Sequence, residues 1–271
     1  MNLEQCIDYI HSKFRKGSIP GLHRMAELLE MLGNPHRELK YVHIAGTNGK
    51  GSTAAMSASI LNAAGYRAGM FTSPYIYRFH ERIQLCGEQI ADEDLVEVVN
   101  YVYPNAERMA DPPTEFELVC AIAFEYYRRK QADILVLECG MGGLLEATNL
   151  IPAPEVAVIT NIGLDHTDAL GDTLEKIAGA KAGIFKEGCH AVVSRGTPGV
   201  EAVFEQVCAE KNIPLRKADF GTLENKSLDL FGQVFDCGGR KNIELPLLGE
   251  HQMFNASVVL SVMDALVERG W

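Results

Sequence analysis

The chain has 271 residues and carries 25 Lys plus Arg against 36 Asp plus Glu, a formal net charge of −11 at pH 7. That balance argues against nucleic acid, whose phosphates need clustered Lys and Arg, and no apolar run approaches the length that crosses a bilayer. The length suits one large α/β domain or two small ones. The N-terminus, MNLEQCIDYIHSKF, has an early acid and a helical period, so it does not read as a signal peptide. Seven cysteines are scattered, odd in number and never spaced CxxC, which fits reduced thiols in a cytoplasmic protein.

Residues 2–15 and 21–32 predict two amphipathic helices, the second with Leu22, Met25, Leu28, Leu29 and Leu32 at helical spacing and Gly33 as its stop. A flexible segment is expected at 17–21. Next comes KYVHIAGTNGKGST, residues 40–53. A short strand, Tyr41 to Ala45, ends in Gly46-Thr47-Asn48-Gly49-Lys50-Gly51-Ser52, and a helix is expected from Thr53 to about Ala64. Strand, glycine-rich loop, lysine, hydroxyl and helix are the parts of a phosphate-binding loop. Glycines let the backbone curl with its N–H groups inward, and the helix adds its positive end. Lys50 can supply a mobile charge to the β- and γ-phosphates, and Ser52 a hydroxyl ligand to their magnesium. The Walker spacing is not met: Ala45 stands where it needs Gly, and Gly51 separates Lys50 from Ser52. A bare glycine turn between strand and helix is the plain alternative.

A second strand is expected at Tyr66–Phe71, followed by Thr72-Ser73-Pro74 and an aperiodic stretch to Gln84. Ser73 lies just past a strand's carboxyl end, where open α/β sheets place ligand groups. Helices are expected at Asp92–Tyr103 and from about Glu115 to Lys130. Thr114 and the acids after it suit capping and the helix dipole, so Glu117 reads as structural. DILVLEC, residues 133–139, predicts a strand covered on both faces. Glu138 at its end needs a cation or donors to offset its burial. Strands at 155–161 and 191–194, a helix starting near Thr173, a helix at 199–212 and a strand near Leu215 follow. Residues from about 222 to 248 predict antiparallel hairpins with a turn at Gly238-Gly239. A last helix opens near Gly249.

In this order the motifs resemble those of the Mur ligase superfamily, in its folylpolyglutamate synthase and dihydrofolate synthase branch. They are AGTNGKGST, TSPYIYRFHERI, TEFE, ECGMGGLLEATN, NIGLDHTDALGDTLEKIA, AKAGI and GEHQMFNA. The resemblance covers essentially all 271 residues. It implies an α/β fold of P-loop type, a mostly parallel sheet flanked by helices with a small antiparallel extension, forming one ATP-binding domain over 1–271. It implies ATP held by Gly46, Thr47, Asn48, Gly49, Lys50, Gly51, Ser52, Thr53 and Asn255. Two magnesium ions would be held by Ser52, Ser73, Glu138 and His166. Lys50, Lys181 and His166 would be the catalytic residues, with Lys181 carbamylated by carbon dioxide, which requires a neutral amine and an enclosed setting. The implied reaction adds L-glutamate to a folate through an acyl phosphate, in a cytoplasmic monomer that binds neither nucleic acid nor membrane. The alternatives are dihydrofolate synthase, with dihydropteroate as acceptor, or both activities together. Further alternatives are an ATP-binding module that does not ligate by itself and a generic P-loop ATPase or kinase. The family continues into a C-terminal domain that helps bind glutamate, and this sequence, ending at Trp271, is expected to lack it. Tyr75 replaces the pattern's histidine, Leu144 its arginine, Glu146 its aspartate and Ala180 its glutamate.

Overall fold

A computed structural model describes residues 1–14 and 21–271. Most of the segment expected to be flexible, 17–20, lies outside them. The chain divides into two units, residues 1–42 with 58–152 and residues 43–57 with 153–271.

The first unit begins with α1 (Leu3–Ser12), whose cap Asn2 accepts the N–H of Gln5 while the Gln5 side chain accepts that of Asn2. Helix α2 (His23–Met31) buries Met25, Leu28 and Leu29. Strand β1 (Tyr41–Ala45), buried throughout, gives its first two residues to this unit and the rest to the other. Helix α3 (Lys50–Ala63) likewise belongs to the second unit up to Ser57 and to the first from Ala58. It starts at Lys50 rather than Thr53, so the lysine and the hydroxyl of the glycine loop already sit in helical backbone. Strand β2 (Ala68–Phe71) is followed by a hairpin, β3 (Ile83–Leu85) and β4 (Glu88–Gln89), which starts at the end of the aperiodic stretch and runs past it. Helix α4 (Asp92–Ala106) runs on through Pro104, and α5 (Glu115–Arg129) is buried along one continuous stretch from Glu117 to Tyr127. Strand β5 (Ile134–Glu138) is fully buried. The strand order is β4-β3-β2-β5-β1, with β2 parallel to β5 and antiparallel to β3.

In the second unit the order is β1-β6-β7-β8, with β6 (Val156–Ile159), β7 (His190–Val193) and β8 (Leu215–Lys217) parallel. Helices α6 (Thr167–Leu170), α7 (Leu174–Lys181) and α8 (Pro198–Glu210) make the connections. Strands β9 (Glu224–Leu228), β10 (Gln233–Cys237) and β11 (Arg240–Leu245) pair antiparallel in a sheet of their own. Its inner face, Phe235, Cys237 and Leu245, packs on Met253 and Ala256 of α9 (Glu250–Glu268). The fold class expected from the sequence is therefore present: mostly parallel strands, flanking helices and a small antiparallel sheet. All seven cysteines are free. Among the described residues no helix is long and apolar enough to cross a membrane.

One buried ion pair fixes α2 to the start of α5. Arg24 and Glu117 are almost wholly enclosed, and the guanidinium meets the carboxylate with two bonds of 3.0 Å. Glu117 also accepts the N–H of its cap residue, Thr114, at 2.7 Å. Removing Glu117 takes the two-bond carboxylate from the enclosed Arg24 guanidinium and leaves it the longer contact to Asp111, at 3.4 Å. Glu117→Ala should therefore cost about 3–5 kcal/mol in urea unfolding. Arg24→Met combined with Glu117→Leu should recover most of that loss, and a double variant as weak as the single one would show that the pair itself carries the stability.

Candidate functional site

The loop after β1 is clamped by the segment that follows β6. Thr47 N–H donates to the Asn161 carbonyl at 2.9 Å, and Asn48 N–H to the Asn161 side-chain oxygen at 2.7 Å. Thr160 Oγ1 donates to the Asn48 carbonyl at 2.6 Å. Gly163 N–H donates to Thr47 Oγ1, and that hydroxyl donates to the Gly163 carbonyl. Gly46 has φ 149° and lies so close to Thr160 that a Cβ there would sit 1.9 Å from Oγ1. Only glycine fits such a backbone and such an approach. The Thr47 and Asn48 amides are thus committed to the clamp. The first-turn amides of α3, from Lys50 onward, have no acceptor inside the helix and face the loop with its positive end.

Helix α9 closes on the same loop. Gly49 has φ 81°, and a Cβ on it would lie 2.4 Å from Asn255 Oδ1. Asn255 Nδ2 donates to Gln252 Oε1 at 3.0 Å, and Gln252 Nε2 donates to Ser52 Oγ at 3.1 Å. Lys50 Nζ rests against the Thr47 carbonyl at 3.2 Å. Lys181, buried at the end of α7, donates from Nζ to the Gly46 carbonyl at 2.8 Å. Thr53 is fully buried, and its N–H bonds the Gly49 carbonyl at 2.9 Å. The structure thus gathers Gly46–Thr53, Lys181 and Asn255, all named from the sequence. It adds Thr160, Asn161 and Gln252, which no spacing argument singled out. His166 is placed differently. It stands exposed at φ 49°, and among the described residues its ring meets only Asp165, at 3.6 Å.

In the first unit, the backbone N–H of Ser73 donates to Glu138 Oε2 at 3.1 Å, so the two oxygen donors expected there are neighbours. Glu138 is 5% exposed at the end of β5. The turn beyond it carries Leu144 and Leu145 outward, 55% and 56% exposed. Glu146 turns inward instead. Its carboxylate accepts Thr148 N–H at 3.0 Å, the Thr148 hydroxyl, and Gly140 N–H at 3.4 Å. A carboxyl that serves its own loop in this way is a structural anchor of the turn.

Residues 44–263 match the Mur ligase middle domain family. The chain is 39% identical over 267 residues to the dihydrofolate synthase/folylpolyglutamate synthase of Bacillus subtilis, covering 95% of this chain and 61% of that protein. It is 37% identical to the folylpolyglutamate synthase of Lacticaseibacillus casei, covering 96% and 63%. Among solved structures, the apo form of the L. casei enzyme superposes with TM-score 0.92 at 35% identity, over 99% of this chain and 68% of that one. A complex described as FPGS with AMPPCP and folate gives 0.93 at 35% identity, with the same coverage. The chain spans about three fifths of the length of these two curated relatives.

Burial pushes the Glu146 carboxyl up to about 7, against the pull of the Thr148 and Gly140 donors. Unfolded, it titrates near 4.5. Between those values the native state keeps a proton that the unfolded chain has lost, so stability falls as pH rises, and the cost is complete above 7. Glu146→Gln keeps an acceptor for Thr148 and cannot ionise. Its melting temperature should gain on that of the wild type between about pH 5 and pH 8, by at most about 3 kcal/mol in stability. Thermal unfolding across that range decides the point: a flat difference would mean that Glu146 is charged in the native protein throughout.

Proposed function

The chain belongs to the Mur ligase family, and on that footing we propose that it binds ATP for the addition of L-glutamate to the carboxylate of a folate. The observation that carries this reading is the loop itself. Its glycines allow close backbone approach at two points, Lys50 stands at its end, and α3 starts there with the positive end of its dipole. Those groups fit a polyphosphate, because they present backbone donors and a mobile cation with no acid among residues 46–53. In the reaction, the substrate carboxylate attacks the γ-phosphorus, ADP leaves, and the glutamate amine then displaces phosphate from the acyl phosphate. Lys50 would neutralise charge that grows on the transferred phosphoryl oxygens, and the α3 amides would hold the β-phosphate.

Magnesium fits the donor chemistry, since hydroxyl and carboxylate oxygens are the ligands it prefers. Ser52 in the second unit offers one such oxygen, and Ser73 and Glu138 in the first offer a hydroxyl beside a carboxylate. We propose His166 as a further ligand; its exposed ring is open to a cation from solvent. When bound, the metal supplies charge neutralisation to the phosphates. We also propose carbamylation of Lys181. One N–H survives that modification and can keep the bond to Gly46, while the added carboxylate gives a cation-binding group in place of a cation. A second acceptor reading, dihydropteroate, is favoured by the double name of the Bacillus subtilis relative.

Phosphate release from Mg-ATP, measured with glutamate plus tetrahydrofolate or dihydropteroate, tests both readings. Release that requires glutamate and one pterin names the acceptor. Nucleotide binding without release under either condition assigns this chain the nucleotide-binding share of the reaction alone. In an active preparation, Lys50→Ala should lower release by about 100-fold or more with unchanged circular dichroism. Undiminished release in that variant would remove the loop from the reaction.

A further inference from the structure

Gln252 sits in the first turn of α9, and its side chain joins two residues that lie far apart in sequence. Its amide oxygen accepts from Asn255 Nδ2 at 3.0 Å, and its amide nitrogen donates to Ser52 Oγ at 3.1 Å. A primary amide carries an acceptor oxygen and donor N–H groups on separate atoms, so it can do both at once. Asn255 is in turn pressed against Gly49, where no side chain could intervene. The result is a single chain of contacts, Gly49 to Asn255 to Gln252 to Ser52, that loops from the glycine turn through α9 and back to the start of α3.

The direction of the last bond matters. A serine hydroxyl has one proton and two lone pairs. When Gln252 donates, one lone pair is consumed, the second stays available to a cation, and the hydroxyl proton must point elsewhere. A carboxylate at this place would instead attract the hydroxyl proton, and an apolar residue would leave the hydroxyl free to rotate. We propose that Gln252 is a positioning residue that holds Ser52 Oγ in the orientation that accepts magnesium. The proposal rests on the reading above that Ser52 is a magnesium ligand of the bound nucleotide. Partners that orient a metal-binding group typically matter 10–100-fold in metal affinity, so the effect is measurable.

The test is calorimetric binding of AMPPCP to this chain, with magnesium and with EDTA, in wild type, Gln252→Ala, Ser52→Ala and the double variant. Wild type should bind more tightly with magnesium. Gln252→Ala should keep its magnesium-free affinity within about twofold and lose about 10-fold of the magnesium-dependent gain. Ser52→Ala should abolish that gain, and adding Gln252→Ala to it should change nothing more, as expected when two residues act through one contact. Thermal unfolding of each variant without nucleotide identifies any loss that comes from misfolding. An unchanged magnesium gain in Gln252→Ala would overturn the proposal, as would an equal loss with and without magnesium, which marks a purely structural role. If Ser52→Ala leaves the magnesium gain intact, the ligand assignment falls and takes the proposal with it. If wild type binds no AMPPCP at all, it is the nucleotide reading that fails.

Discussion

The second unit depends on two places where backbone meets side chain with no room for a Cβ. At Gly46 the neighbour is Thr160, and at Gly49 it is Asn255. These contacts hold the loop from opposite sides in sequence, one from the end of β6 and one from the start of α9. A flexible glycine turn would lose conformational entropy on binding a phosphate, whereas a turn already held has little left to lose. The clamp also divides the amides by task. Those of Thr47 and Asn48 bind the protein, and those at the start of α3 are the ones the proposed nucleotide would meet. The glycines matter here for close approach as much as for their positive φ.

Much of this was legible in the sequence, and what was not has a physical reason. Long periodic helices such as α5 and α8 and the apolar strands β5, β6 and β7 declare themselves through burial, which pattern reports directly. The hairpin β3–β4 does not, because strands of three and two residues are too short to alternate. The start of α3 was read late because glycines at 49 and 51 suggest loop, yet α3 begins between them. The small residues around Lys181 and the stripe of Ile177 and Ile184 suit an enclosed setting, and the lysine is 3% exposed. Asn161 and Gln252 lie inside quoted motifs and Thr160 just before one, but what they do rests on polar contacts over separations of more than a hundred residues. No periodicity records such contacts.

The departures from the family pattern fall into two kinds. Leu144 loses a cation on an exposed turn, and its side chain joins Leu145 as apolar surface. Glu146 keeps its acid but is buried, and its carboxyl is spent on Thr148 and Gly140, which fixes the backbone that leads away from Glu138. Through Gly140 the carboxyl reaches the backbone two residues beyond Glu138, the residue that meets Ser73.

Lys181 poses the sharper electrostatic problem. A buried ammonium is costly, and a carbonyl acceptor such as Gly46 offsets only part of that cost. Its bond to the Gly46 carbonyl lands on the same residue whose φ and close approach to Thr160 define the loop, so the lysine reports on the loop's backbone directly. Carbamylation would convert the group from cation to anion without moving that bond, because the nitrogen keeps a hydrogen. The local charge would change by about two units beside the loop proposed to receive phosphates, which is tolerable only if cations arrive with them. On this reading, the amine, the hydroxyl of Ser52 and the nucleotide's metal form one charge balance. The bond to Gly46 keeps the lysine in place whichever side of that balance it occupies.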